Sequence, residues 1–322
     1  MVALGSVSRM FPVPGLVEHA VGFKTLAEAI HLRNHVLEQL ELADATDDPD
    51  ERSARLGFVV VGAGYAGTEL VAELQALVRR ALRLYPALRQ SDTRWVLADM
   101  APRVLPELGG RLSEAAIEVL RGRGIQVRLQ TTLEQVGSDW VRFTDGEWMP
   151  ASTVVWTAGV TPNPLAGKLG VATDERGRIV VDEHLAVTGR DDVFAVGDVA
   201  AVPIVGRRPS TAQHALRQAR VCGDNLAVTL GHGKRRRFAF AGLGLLVNLS
   251  EHYGVGKVLG VPVSGLLGWV VTRTYHWFAL PTWTRRLRVG LDWAVAAAFP
   301  RDVAELGTLG HPPPLPSPER RD

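Results

Sequence analysis

The segment GAGYAG at residues 62–67 constrains the fold more than any other feature of the chain. It fits the pattern G-x-G-x-x-G, follows a buried strand predicted by FVVV at 58–61, and precedes a helix predicted over 65–84. Such a turn lets a pyrophosphate approach the backbone, and the helix N-terminus presents N–H groups to it. A strand–helix turn without a ligand is the alternative. We expect the turn to bind a dinucleotide through Gly62, Ala63, Gly64, Tyr65, Ala66 and Gly67.

The next predicted strand, at 95–98, ends at Asp99. A carboxylate at this position accepts hydrogen bonds from ribose hydroxyls and repels a 2′-phosphate, which favours NAD over NADP. Asp99 follows Gly62 by 37 residues, whereas a spacing of about 20 is usual. We attribute the excess to a long helix and to the connection 84–93.

Alternating patterns around the glycine turn predict an α/β fold with a parallel sheet. Helices are predicted from Phe23 to Leu42 and from Leu112 to Arg123, and further strands at 125–129 and 153–159. Three short runs within 133–149 predict an antiparallel meander. The acidic segment 44–51 is predicted to be a solvated loop.

Composition excludes several classes of protein. The 322 residues carry a formal net charge of only +2, which gives no uniform field for a nucleic-acid partner. The single cysteine, Cys222, excludes an internal disulfide, a redox-active cysteine pair and a cysteine-based metal cluster. We predict no metal site.

Five motifs in order resemble the type II NADH dehydrogenases over nearly the whole chain. They are VVVGAGYAGTE at 59–69, DMAPRVLP at 99–106, VVWTAGV at 154–160, VFAVGDVA at 193–200 and TAQHA at 211–215. The resemblance implies a flavoprotein with two dinucleotide-binding, Rossmann-like domains that uses FAD and NAD(H). It predicts an NAD(H)-binding domain at 21–160, parts of an FAD-binding domain at 1–20 and 161–235, and a membrane-associating region at 236–322.

The resemblance also assigns roles to individual residues. Asp198, after Gly197, would accept hydrogen bonds from the FAD ribityl and phosphate region, although a plain strand-ending turn is the alternative. Ala158 and Gly159 would line the cofactor site. Glu69 would be catalytic near the nicotinamide and flavin, yet a first-turn glutamate is also stabilised by the helix dipole.

Two further residues match the start of the family's quinone-proximal motif. Ala212 and Gln213 would face the flavin ring, with Gln213 catalytic, although Gln213 is also acceptable as an ordinary helix residue. Arg217 departs from the family pattern because a glutamine is common there, and Gln218 is adjacent. This departure falls within the predicted quinone site.

The first residues suggest what the chain lacks. ALGS at 3–6 matches the segment that closes the first FAD-binding half in the family, and the chain has one G-x-G-x-x-G. We therefore expect the FAD-binding βαβ unit to be missing ahead of Met1.

The C-terminal region is predicted to carry amphipathic helices that contact a membrane surface. Four tryptophans and four arginines lie within 269–293, and both residue types suit a lipid headgroup interface. A core-packing helix pair is the alternative. Arg273, Pro262 and Pro281 argue against a spanning helix. The basic run 234–237 would add attraction or be a solvated loop, and the proline-rich end is predicted to be disordered.

These features predict an NADH:quinone oxidoreductase of the respiratory chain that does not pump protons. Its expected partners are a membrane quinone, an anionic lipid surface and a second copy of the chain, and its expected location is peripheral, on the cytoplasmic face of the cell membrane. The alternatives are a non-catalytic NAD-binding module at a membrane surface that has lost FAD, and a soluble flavin-dependent NADH oxidase or ferredoxin reductase.

Overall fold

The computed structural model describes residues 1–203, 211–299 and 303–304. The helices of these ranges are α1 (Leu16–His19), α2 (Leu26–Ala45), α3 (Pro49–Arg55), α4 (Tyr65–Ala81), α5 (Gly110–Gly122), α6 (Ala212–Thr229), α7 (Gly265–Ala279) and α8 (Trp283–Ala298). The predicted disordered end lies outside the described residues.

Seventeen strands accompany these helices in the described ranges. They are β1 (Ser6–Ser8), β2 (Val21–Gly22), β3 (Gly57–Val61), β4 (Arg94–Asp99), β5 (Ile125–Leu129), β6 (Leu133–Val136), β7 (Trp140–Phe143), β8 (Trp148–Pro150), β9 (Thr153–Trp156), β10 (Val160–Pro162), β11 (Ile179–Val180), β12 (Ala186–Val187), β13 (Arg190–Phe194), β14 (Ala200–Ala201), β15 (Gly244–Asn248), β16 (Gly254–Val258) and β17 (Val261–Ser264).

The centre of the fold is a five-stranded parallel sheet in the order β2-β9-β3-β4-β5. Phe58 and Val60 of β3 pack with helices α2, α4 and α5, whereas Val59 and Val61 point to the other face, under the β6–β8 meander. Both faces of β3 are therefore buried away from solvent, which is why this strand is continuously apolar. The predicted parallel sheet and antiparallel meander are confirmed.

The acidic segment 44–51 is helical over much of its length, and the predicted loop is wrong. Helix α2 continues to Ala45, and α3 begins at Pro49. Asp48 caps α3, since its carboxylate accepts from the N–H groups of Asp50 and Glu51. An N-cap aspartate, a proline at the first position and acids in the first turn all stabilise a helix start. Polar composition alone did not separate this signal from a loop.

Segments that precede and follow the parallel sheet along the chain pack together into a second region. Strand β1 pairs antiparallel with β10, and β11 pairs parallel with β14. A separate apolar cluster lies here, and it includes Phe194 and the fully buried Cys222. This arrangement places the start of the chain beside the segment after residue 160, and the assignment of both parts to one domain stays a prediction.

The C-terminal strands β15, β16 and β17 form an antiparallel sheet that packs on the parallel-sheet domain. Val247, Leu249 and Val255 are fully buried members of the same core cluster as helices α4 and α5. Helix α7 lies close against β16, because a Cβ at Gly254 would sit 2.7 Å from the carbonyl carbon of Gly268. Part of the region after 236 thus belongs to the protein core.

Candidate nucleotide and electron-transfer site

The glycine turn between β3 and α4 has the geometry that its sequence predicts. Gly62 has a φ of 112°, a region that favours glycine. A Cβ at Gly67 would overlap the carbonyl oxygen of Gly62 and lie 2.5 Å from Thr157 Oγ1, so the helix packs against the turn only if this residue is glycine. A Cβ at Gly64 would meet nothing within 4 Å. The turn is therefore closed on its protein side and open at Gly64.

The first turn of α4 faces the same opening. Gly64 is its N-cap and has no side chain to bond the N–H groups at the start of the helix. Aligned peptide dipoles give such an N-terminus a partial positive charge, which favours an anion. These residues fit a dinucleotide pyrophosphate, although this use of the turn stays a prediction.

Asp99 does more than end strand β4. One carboxylate oxygen accepts a hydrogen bond from the Ala63 N–H inside the glycine turn, and the other accepts from the Ala101 N–H at 2.7 Å. The side chain thus braces the turn, a role that its sequence position did not suggest. Each carboxylate oxygen has a second lone pair, so acceptance from a ribose hydroxyl remains compatible with this geometry.

Thr157, which sequence reasoning missed, holds two strand ends together at this edge. Its hydroxyl lies 2.8 Å from the carbonyl oxygen of Val61 and 3.1 Å from that of Gly62. Ala158 and Gly159 follow it, and Gly159 has a φ of 95°. The adjacent ends of β9 and β3 therefore bring these predicted cofactor residues beside the glycine turn.

Glu69 is a half-buried carboxyl on α4, and it contacts strand β15. Its Oε1 accepts a hydrogen bond of 2.7 Å from the main-chain N–H of Asn248. Burial raises the pKa of Glu69 to about 7, partly offset by that N–H, and the charge of Glu73 raises it further. Near neutral pH this carboxyl can therefore both hold and release a proton.

A second group of predicted cofactor residues lies around Asp198. Its Oδ2 accepts from the Ser6 hydroxyl at 2.6 Å and lies 3.5 Å from the Lys24 ammonium. Gly197 has a φ of 76°, and its N–H donates to Gln218 Oε1 at 2.7 Å. Ser6 and Lys24 were missed because their proximity to Asp198 arises only from the fold.

Helix α6 presents Gln213 and Arg217 in ways that the sequence left open. The Gln213 amide donates to the Gly244 carbonyl and accepts from the Leu243 N–H, both at the start of β15. The Arg217 guanidinium lies 4.0 Å from the Phe240 ring centre and donates to the Gln213 carbonyl at 3.1 Å. Arg217 and Gln218 therefore make different contacts, since the Gln218 side chain accepts a hydrogen bond from the Gly197 N–H.

The two predicted catalytic residues therefore contact opposite ends of one strand. Gln213 bonds near Gly244 at the start of β15, and Glu69 bonds to Asn248 at its end. Four residue steps of strand span roughly 13 Å. Sequence reasoning did not find β15, so this physical link was not anticipated.

Comparison with known proteins identifies the family. A family model described as pyridine nucleotide-disulphide oxidoreductase matches residues 1–219. The chain belongs to this family. It is 29% identical over 94% of its length to a probable NADH dehydrogenase of Dictyostelium discoideum, and 29% identical over 92% to a type II NADH:quinone oxidoreductase of Mycobacterium tuberculosis. These matches cover 68% and 66% of the two relatives, so the chain spans about two thirds of their length.

The fold of this oxidoreductase family member also matches a solved structure. NDH2 from Plasmodium falciparum, solved in complex with NADH, superposes with a TM-score of 0.78 at 15% identity, covering 94% of this chain and 78% of that one. The sequence similarity to the two relatives confirms the resemblance to type II NADH dehydrogenases, and the structural match supports the fold.

An internal disulfide, the group that the family description mentions, needs two cysteines in one chain. Cys222 is the one cysteine of the sequence. It is fully buried, and burial raises the pKa of its thiol, which disfavours the reactive thiolate. Among the described residues, no group of three or more potential ligands could hold a metal ion.

The C-terminal helices leave apolar side chains exposed. Helix α8 has no buried residue, and Leu287, Leu291 and Val295 are each more than half exposed. Arg273 lies between two indole rings, 4.8 Å from the centre of Trp269 and 4.2 Å from that of Trp293. None of the described helices has both the length and the apolarity to cross a membrane.

The basic run 234–237 engages acidic neighbours. Arg236 contacts Asp224 at 2.8 Å, and Arg237 contacts Glu183. The main-chain N–H of Arg236 also donates to Asn225 at 2.7 Å. These contacts favour a local structural role over general attraction to anionic lipid.

Proposed function

We propose that the chain provides the NADH site and the adjoining reactive edge of a flavin-dependent NADH:quinone oxidoreductase. The observation that carries the proposal is the meeting of the open glycine turn and Asp99 at the carboxyl edge of one parallel sheet, with Glu69 in the helix that begins at this turn. In open α/β sheets, ligands bind at this edge. The relatives named as NADH dehydrogenases and quinone oxidoreductases support the assignment.

Each residue group has a distinct task in this proposal. Gly62, Gly64 and Gly67 admit the pyrophosphate, and Asp99 braces the turn while accepting from the adenosine ribose. Glu69, which can exchange a proton near pH 7, faces the reactive end of the nucleotide. A bound flavin would supply the two-electron chemistry between nicotinamide and quinone.

Residues of the second group fit the flavin and the acceptor. Asp198, held by Ser6 and Lys24, has acceptor capacity left for sugar hydroxyls of FAD. Gly197 leaves room for a close backbone approach, since only Ala215 Cβ comes within 4 Å of a Cβ built there, at 3.6 Å. Gln213 lies at the far end of β15, where we place the quinone. Ala212 begins the same helix turn.

The assay that tests this function uses the full 322-residue chain titrated with FAD and then with NADH. We expect a flavin absorption band in the purified complex that bleaches on adding NADH and recovers on adding a short-chain quinone. Gly64→Ala is the matched variant for the NADH step. NADH binding without any flavin band would favour the non-catalytic module instead. Bleaching that recovers with oxygen or ferredoxin but not with quinone would favour the soluble oxidase or reductase.

We also propose that α7 and α8 hold the protein at an anionic membrane surface, peripherally and on the cytoplasmic face of the cell membrane. Exposed leucines on α8 can enter the interface while Arg285 and Arg288 stay near headgroups. Trp277 instead stabilises the helix pair, because its indole N–H donates to the Arg286 carbonyl at 2.7 Å. It is therefore not a suitable position for a binding test.

Replacing Leu287 and Leu291 together with aspartate should weaken co-sedimentation with phosphatidylglycerol vesicles at least tenfold. Each leucine contributes about 1.5–3 kcal/mol when its side chain leaves water. Leu84→Asp is the matched control, since Leu84 is 61% exposed and Leu291 59% exposed, but Leu84 lies beyond α4. Equal loss of binding in the control and the double variant would contradict the assignment of this surface.

A further inference from the structure

The turn at residues 248–252, which joins β15 to β16, has a strained backbone. Ser250, Glu251 and His252 have φ values of 64°, 48° and 65°, three successive non-glycine residues in the left-handed region. Each such residue costs about 1–2 kcal/mol. A backbone of this kind persists only where the surrounding contacts fix it, and such contacts often occur at functional sites.

Two arginines near the C-terminal ends of α4 and α5 fix the 248–252 turn. The Arg123 guanidinium, just after α5, donates to the carbonyl of Leu249 and, at 3.2 Å, to that of Ser250. Arg79 on α4 forms an ion pair with Glu251. The turn is therefore attached to both helices that follow strands of the parallel sheet.

The other side of the turn contacts the C-terminal helix α7. The His252 ring packs edge-on against Trp269 with 4.7 Å between ring centres. The Tyr253 N–H closes the turn by donating to the Ser250 carbonyl at 3.0 Å. The 248–252 turn thus lies between α4 and the helix whose surface we assign to the membrane.

Asn248 is where the turn meets the candidate site. Its main-chain N–H donates to Glu69 at 2.7 Å, and its side-chain amide donates to Glu73 at 3.1 Å. The amide oxygen accepts from the Ser250 N–H at 3.1 Å. The two donor groups therefore link the turn to two carboxylates on one face of α4, since residues four apart share a face. The amide oxygen holds the Asn248 side chain to the turn itself.

We propose that the 248–252 turn is a positioning device for Glu69, with Asn248 as the positioning residue. The strained backbone, held by Arg123 and Arg79, directs the Asn248 N–H at the carboxylate and thereby sets where that carboxylate lies. The proposal deepens the proposed function and rests on it for its catalytic meaning. The contacts that carry it all join groups of this chain, and none of them involves a residue of the glycine turn or a bound cofactor.

The charged groups that border this contact are Glu73 and Arg79 on α4, Arg123 after α5, and Glu251 in the turn. His252 lies on the side of α7. Arg79 is engaged by Glu251, and Arg123 donates to main-chain carbonyls. The Asn248 N–H is therefore the directed contact that stabilises the charged form of Glu69, and Glu73 opposes it.

The experiment measures the pH at which Glu69 titrates, from urea unfolding of the full chain between about pH 4.5 and 9. Wild type and Asn248→Ala are each compared with the same protein carrying Glu69→Gln, so that the difference isolates Glu69. Loosening the N–H contact disfavours the carboxylate, and we expect the titration midpoint to rise by about half a pH unit or more. No flavin is needed for this readout.

Three variants separate positioning from general destabilisation. Ser250→Gly suits the left-handed backbone and leaves the Asn248 contacts in place, so its midpoint should match wild type. Asn163→Ala removes a comparable turn contact, to the Leu165 N–H, far along the chain from Glu69 and should also leave the midpoint unchanged. Asn248→Ser retains an acceptor for the Ser250 N–H, so its titration midpoint should rise less than that of Asn248→Ala. This variant replaces the alanine variant if the latter does not fold.

The outcomes distinguish this proposal from the proposed function. An unchanged midpoint in both Asn248→Ala and Asn248→Ser would overturn the positioning role, whatever the activity of the flavin-loaded protein. A shifted midpoint supports it. With the shift present, absence of NADH oxidation in the flavin-loaded wild type would reject the oxidoreductase function and leave the positioning of Glu69 standing.

Discussion

Gly67→Ala should lower the free energy of unfolding by about 1–3 kcal/mol and abolish NADH binding. The added Cβ would overlap the Gly62 carbonyl oxygen and lie too close to Thr157 Oγ1. The backbone cannot move freely, and the Thr157 hydroxyl is held by hydrogen bonds to two carbonyl oxygens. The helix must therefore shift away from the turn. Urea unfolding measures the loss of stability, and quenching of NADH fluorescence measures binding.

Gly64→Ala provides the contrasting case for the same turn. Its Cβ meets nothing within 4 Å and Gly64 has a φ of −76°, so stability should change by no more than about 0.5 kcal/mol. NADH affinity should nevertheless fall at least tenfold, about 1.4 kcal/mol, because the methyl group occupies the opening for the pyrophosphate. Gly122→Ala, another glycine with open space around it, controls for the added methyl group. Unchanged affinity in Gly64→Ala would remove the pyrophosphate from this turn.

Much of the parallel-sheet domain could be predicted because its signals are local. A β-branched run, a glycine turn and an alanine- and leucine-rich stretch specify β3, the turn and α4 within about 25 consecutive residues. The same pattern requires glycine at position 67, where a Cβ would overlap the Gly62 carbonyl oxygen. The acidic segment before α3 failed because a capped helix start and a solvated loop use the same residue types.

Contacts between distant segments left no comparable signal. Asp99 is 36 positions from its partner Ala63, and Glu69 is 179 positions from Asn248. Ser6 and Asp198 are separated by 192 positions. A side chain that accepts a hydrogen bond from a main-chain N–H imposes no residue type on the donor, so neither partner marks the other in the sequence. The strand β15 was also missed, although Leu245, Leu246 and Val247 form an apolar run within it.

Strand β15 changes how the two predicted catalytic residues relate. Gln213 and Glu69 come from helices of different parts of the chain, yet each bonds to the main chain of this strand. A displacement of β15 along its length would therefore move the contacts of both residues together. Because Val247 is fully buried in the core of the parallel-sheet domain, the strand is anchored there. The position of Gln213 at one end of β15 and that of Glu69 at the other therefore depend on the same strand.

Glu69→Gln should make the protein more stable at high pH and unchanged at low pH. Burial raises the folded-state pKa of Glu69 from 4.5 to about 7. The stabilising contribution of the protonated group is complete below pH 4.5 and is lost as pH rises through about 7. The shift of roughly 2.5 units corresponds to at most about 3 kcal/mol. Urea unfolding of both proteins at several pH values measures the difference.

Glu73→Gln tests the electrostatic part of the same prediction. Its negative charge raises the pKa of Glu69, so removing that charge should move the loss of stability to lower pH. Glutamine keeps an oxygen that can accept from the Asn248 amide, which leaves the geometry of the contact intact.

Parallel stability curves for wild type and Glu69→Gln from about pH 5 to 8 would show that the Glu69 carboxyl titrates as it does in the unfolded chain. A proton-exchanging role for Glu69 near neutral pH would then be untenable, because the group would be fully ionised there.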